Sequence, residues 1–199
     1  GKTIIVGITG ASGAVLAQTT LRLLAADARV ARVHLVITDA GYRLLDQELG
    51  IASRAAGLPA QLIGAPAPAA AKIELLPNAD VGASIASGSY PADAMCVIPC
   101  SMGALSAIAS GASTDLLARA ADVSLKEGRR LVLCVRDTPF SRIHLENMMR
   151  AQQAGAFRLL APPAEISTEP GIVSPPAAVP LGGSARAASL RAWERATRD

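Results

Sequence analysis

Rings are scarce in these 199 residues: aromatics make up 3% against 51% hydrophobic residues overall. A core of Ala, Leu, Ile and Val is therefore expected, enough for one large α/β domain or two small ones. Long apolar runs are also missing. Gly, Pro or charge interrupts each stretch well short of the roughly 20 residues that span a membrane. Basic runs are absent too. The net charge is +3, but the 19 Lys and Arg residues are scattered. A nucleic-acid partner is thus not expected. Only His34 and His144 supply imidazoles, and Cys96, Cys100 and Cys134 form no C-x-x-C, so no metal site is expected. An odd number of cysteines in apolar surroundings predicts reduced, buried thiols. The chain opens directly on a strand pattern, with no signal peptide in view. Together these predict a cytoplasmic setting.

What is present is a glycine turn, Gly7-Ile-Thr-Gly-Ala-Ser-Gly13. Before it, Lys2 to Thr9 is a β-branched apolar run that predicts a buried strand. After it, Ala14 to Ala26 predicts a helix. Such a turn can cradle an anion, because helix N–H groups and a partial positive charge point into it, and Ser12 can add a hydroxyl donor. The spacing is neither the dinucleotide G-x-G-x-x-G nor a Walker loop, which would carry a lysine. Glycines there also serve tight packing alone.

Strand and helix patterns then alternate. Arg32–Thr38 predicts a strand and Asp39–Leu49 a helix that Asp39 or Thr38 could cap. From Ile51 to Ala71 an irregular connection with one helical turn is expected. Lys72–Leu76 predicts a strand and Asp80–Ile85 a short helix. Ala94–Ile98 predicts a central strand ending at Pro99. Helices are expected over Leu105–Ala109 and Thr114–Leu125, broken at Gly111. Arg130–Val135 predicts a strand, Ile143–Gln153 a helix stopped by Gly155, and Ala156–Leu160 a last strand. Alternation of this kind predicts a Rossmann-like three-layer αβα fold around a mostly parallel sheet. Ligands of such sheets lie beyond the strands' carboxyl ends. Gly10 to Gly13, Thr38, Ser101 and Arg136 are all placed there, which points to a phosphate-bearing ligand.

Residues 161–199 differ in character. Six prolines lie between Ala161 and Gly183, and a basic stretch with Trp193 follows. We expect residues 1–160 to form the domain, with a Pro-rich tail and short C-terminal helix that pack in an oligomer.

These ordered blocks resemble the flavin prenyltransferase family of UbiX type over about residues 2–160. The resemblance rests on Gly7 to Ala14, Ser87-Gly-Ser89, Pro99-Cys-Ser-Met102, Arg119-Ala-Ala-Asp-Val123, Leu125-Lys-Glu127, Arg136-Asp-Thr-Pro139 and Ile143-His-Leu-Glu-Asn-Met148. It implies transfer of a dimethylallyl group from dimethylallyl phosphate to reduced FMN. It further implies a homo-oligomer, usually a dodecamer, with FMN near subunit contacts, and a UbiD-type decarboxylase that receives the prenylated FMN. By the resemblance, Gly10, Ala11, Ser12, Thr38, Ser101, Met102, Gly103, Ala104 and Arg136 hold FMN. Arg119, Lys126 and Asp137 match charged positions of the prenyl-phosphate site, with Ser87 and Gly88 beside the substrate. The family usually carries Glu where this chain has Asp137. An allylic phosphate departs as an anion, so Arg119 and Lys126 suit its stabilisation. No aspartate cluster offers a magnesium site.

The chain departs from the family pattern in three further places. Ile166 stands where the family has a tyrosine that contacts the substrate phosphate. Gly171 to Gly183 replaces the following arginine-bearing helix, for which Arg186 is a candidate substitute. Val81 stands at the place of a family aromatic. Weak dimethylallyl phosphate binding is therefore expected. A UbiX-like FMN-binding protein that has lost or changed prenyl transfer stays open. So does a flavin-dependent cysteine decarboxylase relative, which is less favoured because no histidine lies between His34 and His144.

Overall fold

In a computed structural model of the chain, residues 1–52, 57–64 and 70–160 are described. The opening β-branched run forms β1 (Lys2–Ile8), and α1 (Ala14–Ala26) follows the glycine turn. Next come β2 (Val30–Ile37), α2 (Asp39–Leu49), α3 (Leu58–Ile63) and β3 (Ile73–Pro77). A single 3-10 turn spans Ser84–Ala86. The second half supplies β4 (Ala94–Cys100), α4 (Met102–Ser110), α5 (Leu116–Lys126), β5 (Arg130–Val135), α6 (Arg142–Gln153) and β6 (Phe157–Leu160). The six strands form one sheet in the order β3-β2-β1-β4-β5-β6. All five pairings are parallel. Rossmann-like topology is thus confirmed, and the sheet is wholly rather than mostly parallel among the described residues.

Two apolar layers clothe the sheet. One joins Leu21 of α1, Leu45 of α2 and Leu62 of α3 to Val6, Ile8 and Leu35. The other joins Leu105 of α4, Leu116 and Leu117 of α5 and Met148 of α6 to Ile5, Met95 and Leu133. Successive strand residues point to opposite faces, so Ile5 and Val6 enter different layers. The central strands accordingly read as continuous apolar runs.

Two expected boundaries are corrected. β4 does not stop before Pro99 but runs through it to Cys100. Pairing with β5 shifts register between Val97 and Cys100, so the missing proline N–H falls where the ladder is already irregular. The expected helix over Asp80–Ile85 shrinks to the 3-10 turn. The Asp80 carboxylate accepts the Gly82 N–H at 3.1 Å, a local bond that competes with helix. Expectations for residues 161–199, including Ile166 and Arg186, lie outside the described residues.

Candidate active site

The site grows from the place where neighbouring strands send their helices to opposite faces. β1 leads into α1 on one face and β4 leads into α4 on the other, which opens a crevice between them. Thr9, 1% exposed, clamps the two strand ends. Its hydroxyl donates to the Pro99 carbonyl at 2.7 Å and accepts the Ser101 N–H at 2.8 Å. The Ser101 hydroxyl then caps α4 by accepting the Ala104 N–H at 3.3 Å. Thr38 caps α2 in the same way, through the Gly41 N–H at 3.0 Å. Gly10 lets α2 come close, since a Cβ there would sit 2.5 Å from the Ala40 Cβ.

Two adjoining crevices result. The first, about 400 Å³, is lined by Gly10, Ala11, Ser12, Ser101, Met102, Arg136, Asp137 and Thr138. The second, about 330 Å³, shares Gly10 and Ser101 and adds Thr38, Gly103, Ala104, Thr114 and Asp115. Arg136 stitches the first together: its Nε donates to the Ser12 carbonyl at 3.1 Å. Its backbone N–H meets the Cys100 carbonyl at 3.2 Å. At α4 the Met102 and Gly103 N–H groups have no acceptor within the helix, and the two residues line the crevices. Every residue expected to hold FMN therefore lines one crevice or the other.

The glycine turn behaves differently from expectation. Glu48, at the end of α2, places its carboxylate on the N-terminus of α1. It accepts the Gly13 N–H at 3.0 and 3.2 Å and the Ala14 N–H at 2.7 Å. Gly13, at φ 120°, takes a backbone shape that suits glycine. The anion position at α1 is thus filled by the chain's own carboxylate. This contact was missed because Glu48 lies 35 residues away and reads in sequence as one more solvated helix acid.

Arg119, Lys126, Ser87 and Gly88 come together elsewhere and line neither crevice. Arg119 Nε donates to the Ala86 carbonyl at 3.2 Å, and its Nη1 pairs with Asp122 at 3.1 Å. Lys126 pairs with Glu127, and its ammonium holds that carboxyl below the usual carboxylate range. Gly88 is pressed onto this pair. A Cβ there would overlap the Glu127 carboxylate and lie 2.7 Å from Lys126 Nζ. Asp137, grouped with these residues by the sequence reading, instead joins Arg136 in the first crevice.

The thiols offer no nucleophile. All three cysteines are free. Burial pushes Cys96 and Cys100 up to about 12 and raises Cys134 as well. A thiol so placed carries little thiolate near neutral pH. No helix among the described residues is long and apolar enough to cross a membrane.

The Flavoprotein family model matches residues 1–176. The flavin prenyltransferase UbiX of Halalkalibacterium halodurans is 46% identical over 159 residues, which is 79% of this chain and 75% of that protein. A dodecameric FMN-dependent UbiX-like decarboxylase from Escherichia coli O157:H7 matches with a TM-score of 0.70 at 37% identity, over 86% of both chains. AnUbiX, solved with FMN and dimethylallyl pyrophosphate, matches at 0.65 and 38% identity, over 79% of this chain and 76% of that one. With sequence and fold in agreement, this chain belongs to the UbiX family of flavin prenyltransferases.

Proposed function

We propose that this chain transfers a dimethylallyl group from dimethylallyl phosphate to reduced FMN without a metal. The observation that carries the proposal is the polarity of the joined crevices. One ends at the capped N-termini of α2 and α4, the other at Arg136 and Asp137. A mononucleotide fits that polarity. Thr38, Ser101, Met102, Gly103 and Ala104 suit its phosphate and ribityl hydroxyls. Gly10, Ala11, Ser12 and Arg136 suit its ring. With α1 already holding Glu48, phosphate is directed to α4 and α2.

Reduced FMN, when bound, supplies the ring that accepts the prenyl carbon. Asp137 stands at that end, beside Arg136, where its carboxylate can accept or return a proton. Arg119 and Lys126, with Ser87 and Gly88, hold the substrate phosphate and stabilise it as it leaves. They line neither crevice of their own subunit, so under this reading a neighbouring copy brings them to it. A homo-oligomer larger than a dimer, a dodecamer like the Escherichia coli relative, fits that need. Ile143, Leu145 and Met149 lie exposed on α6 and offer apolar contact surface. The product would serve a UbiD-type decarboxylase, and buried reduced thiols suit the cytoplasm.

The test is the mass of the flavin after anaerobic incubation of FMN-loaded protein with a reductant and dimethylallyl phosphate. Wild type should yield prenylated flavin and Lys126→Ala should not. A second reading, an FMN protein without transfer, is favoured by Ile166 and by the pairing of Arg119 and Lys126 with Asp122 and Glu127. Unmodified flavin from wild type with FMN normally bound would select it.

A further inference from the structure

The loop over Ser87–Ser89 is fastened at three points, and two of them use residues outside the proposed site. Arg119 holds the Ala86 carbonyl. Arg129, just beyond α5, donates from Nη2 to the Gly88 carbonyl at 2.6 Å. Tyr90, at the loop's far end, puts its hydroxyl 2.6 Å from His34 Nε2, with the rings edge-to-face at 5.3 Å. His34 stands on β2 and is 1% exposed. Its Nδ1 lies 3.2 Å from a Glu74 carboxylate oxygen, close enough for attraction but misaligned for a hydrogen bond. A proton on Nδ1, drawn toward that carboxylate, leaves Nε2 to accept the Tyr90 hydroxyl.

We propose that Arg129 and the Tyr90–His34 pair are positioning residues for the allylic-phosphate site: they pin the Ser87–Ser89 loop onto the Lys126–Glu127 pair and so fix the ammonium that meets substrate. The inference rests on the reading above that Lys126 contacts the phosphate. Lys126 carries its charge on a flexible stem and is about half exposed (49%). Gly88 walls it on one side, and without a Cβ the loop can press close. If the loop lifts, the ammonium regains rotamer freedom that phosphate binding must then remove. FMN should not notice, because neither anchor lines its crevices.

The test uses the oxidised FMN holoenzyme, which cannot transfer the prenyl group, titrated calorimetrically with dimethylallyl phosphate. Arg129→Gln and Tyr90→Phe should each weaken binding by about tenfold, as loss of one charge-assisted or buried hydrogen bond does. FMN affinity should stay within about twofold in both. Arg129→Lys should recover part of the loss. In a Lys126→Ala background, Arg129→Gln should add nothing further, because the group it positions is gone. Full additivity in that double variant, or an equal fall in FMN affinity, overturns the proposal. Absent binding by wild type, or unchanged binding in Lys126→Ala, overturns the reading of the phosphate site and this inference with it.

Discussion

Glu48→Ala separates two uses of a helix N-terminus. The carboxylate makes three contacts of 2.7, 3.0 and 3.2 Å with the first N–H groups of α1. A capping bond is worth about 1 kcal/mol and a favourable dipole contact about 0.3–1 kcal/mol. Glu48 is exposed, so screening keeps the total near about 1–2 kcal/mol. In a chain of this size that is a fall of about 2–8 °C in melting temperature. The vacated N–H groups would then accept an external anion. Melting in chloride and in sulfate at matched ionic strength reads this directly. Sulfate should restore much of the loss in Glu48→Ala and do little for wild type. A melting point unchanged by the substitution would refute the capping role.

The same variant reports on flavin orientation. Glu48 places a negative charge at the glycine turn, and the proposed function gives the phosphate to α4 and α2. The ratio of FMN to riboflavin affinity measures what the phosphate contributes. That ratio should stay within about twofold in Glu48→Ala. A rise of about tenfold would mean that the phosphate belongs at α1 and that Glu48 competes with it.

Arg136→Ala removes the guanidinium that ties β5 to the glycine turn, so FMN should bind more weakly by about 1.5–3 kcal/mol, roughly ten- to 150-fold in a fluorescence titration; an unchanged curve removes Arg136 from the site. His34 gives a pH signature. Burial lowers its pKa from 6.5, so the unfolded chain takes up the proton first as pH falls, and stability drops below pH 6.5 at up to about 1.4 kcal/mol per unit. Urea unfolding of His34→Gln at pH 7, 6 and 5 should show a shallower fall than wild type; identical slopes would refute the assignment. Sedimentation at micromolar concentration should show assemblies larger than a dimer, and monomer alone would remove the neighbouring copy on which the Arg119–Lys126 cluster depends. Ile166→Tyr should raise prenyl turnover by mass spectrometry, and no change would show that the lost tyrosine is not what limits transfer.

Most of the sheet was legible because the central strands β1, β4 and β5 are covered on both faces over most of their length and read as apolar runs. α1, α2 and β5 fall on their expected bounds, since a glycine, a capping Thr38 or a charged residue punctuates them. Pro99 misled for a physical reason. A proline stops a strand only where its missing N–H would leave a ladder bond unmade, and here the register shift removes that requirement. α3 was reduced to a single turn by the surrounding Ala, Pro and Gly. Its identity comes from Leu58, Leu62 and Ile63, which are buried in the layer that also holds α1.

The site was legible residue by residue but not as a geometry. Four helices that start near the crevices or the glycine turn follow Gly13, Thr38, Ser101 and Asp115. What separates them is the charge placed on each. Glu48 fills the first, and Asp115 caps the fourth with its own carboxylate, accepting the Ala118 N–H at 2.8 Å. Of these four, α2 and α4 start behind neutral hydroxyls, and both open on the second crevice, which Asp115 also lines. Under the proposed function, Glu48 occupies the competing position at α1, and an anionic ligand goes to α2 and α4. The glycine turn, which could serve either phosphate or tight packing, then shapes the first crevice beside Arg136 and Asp137.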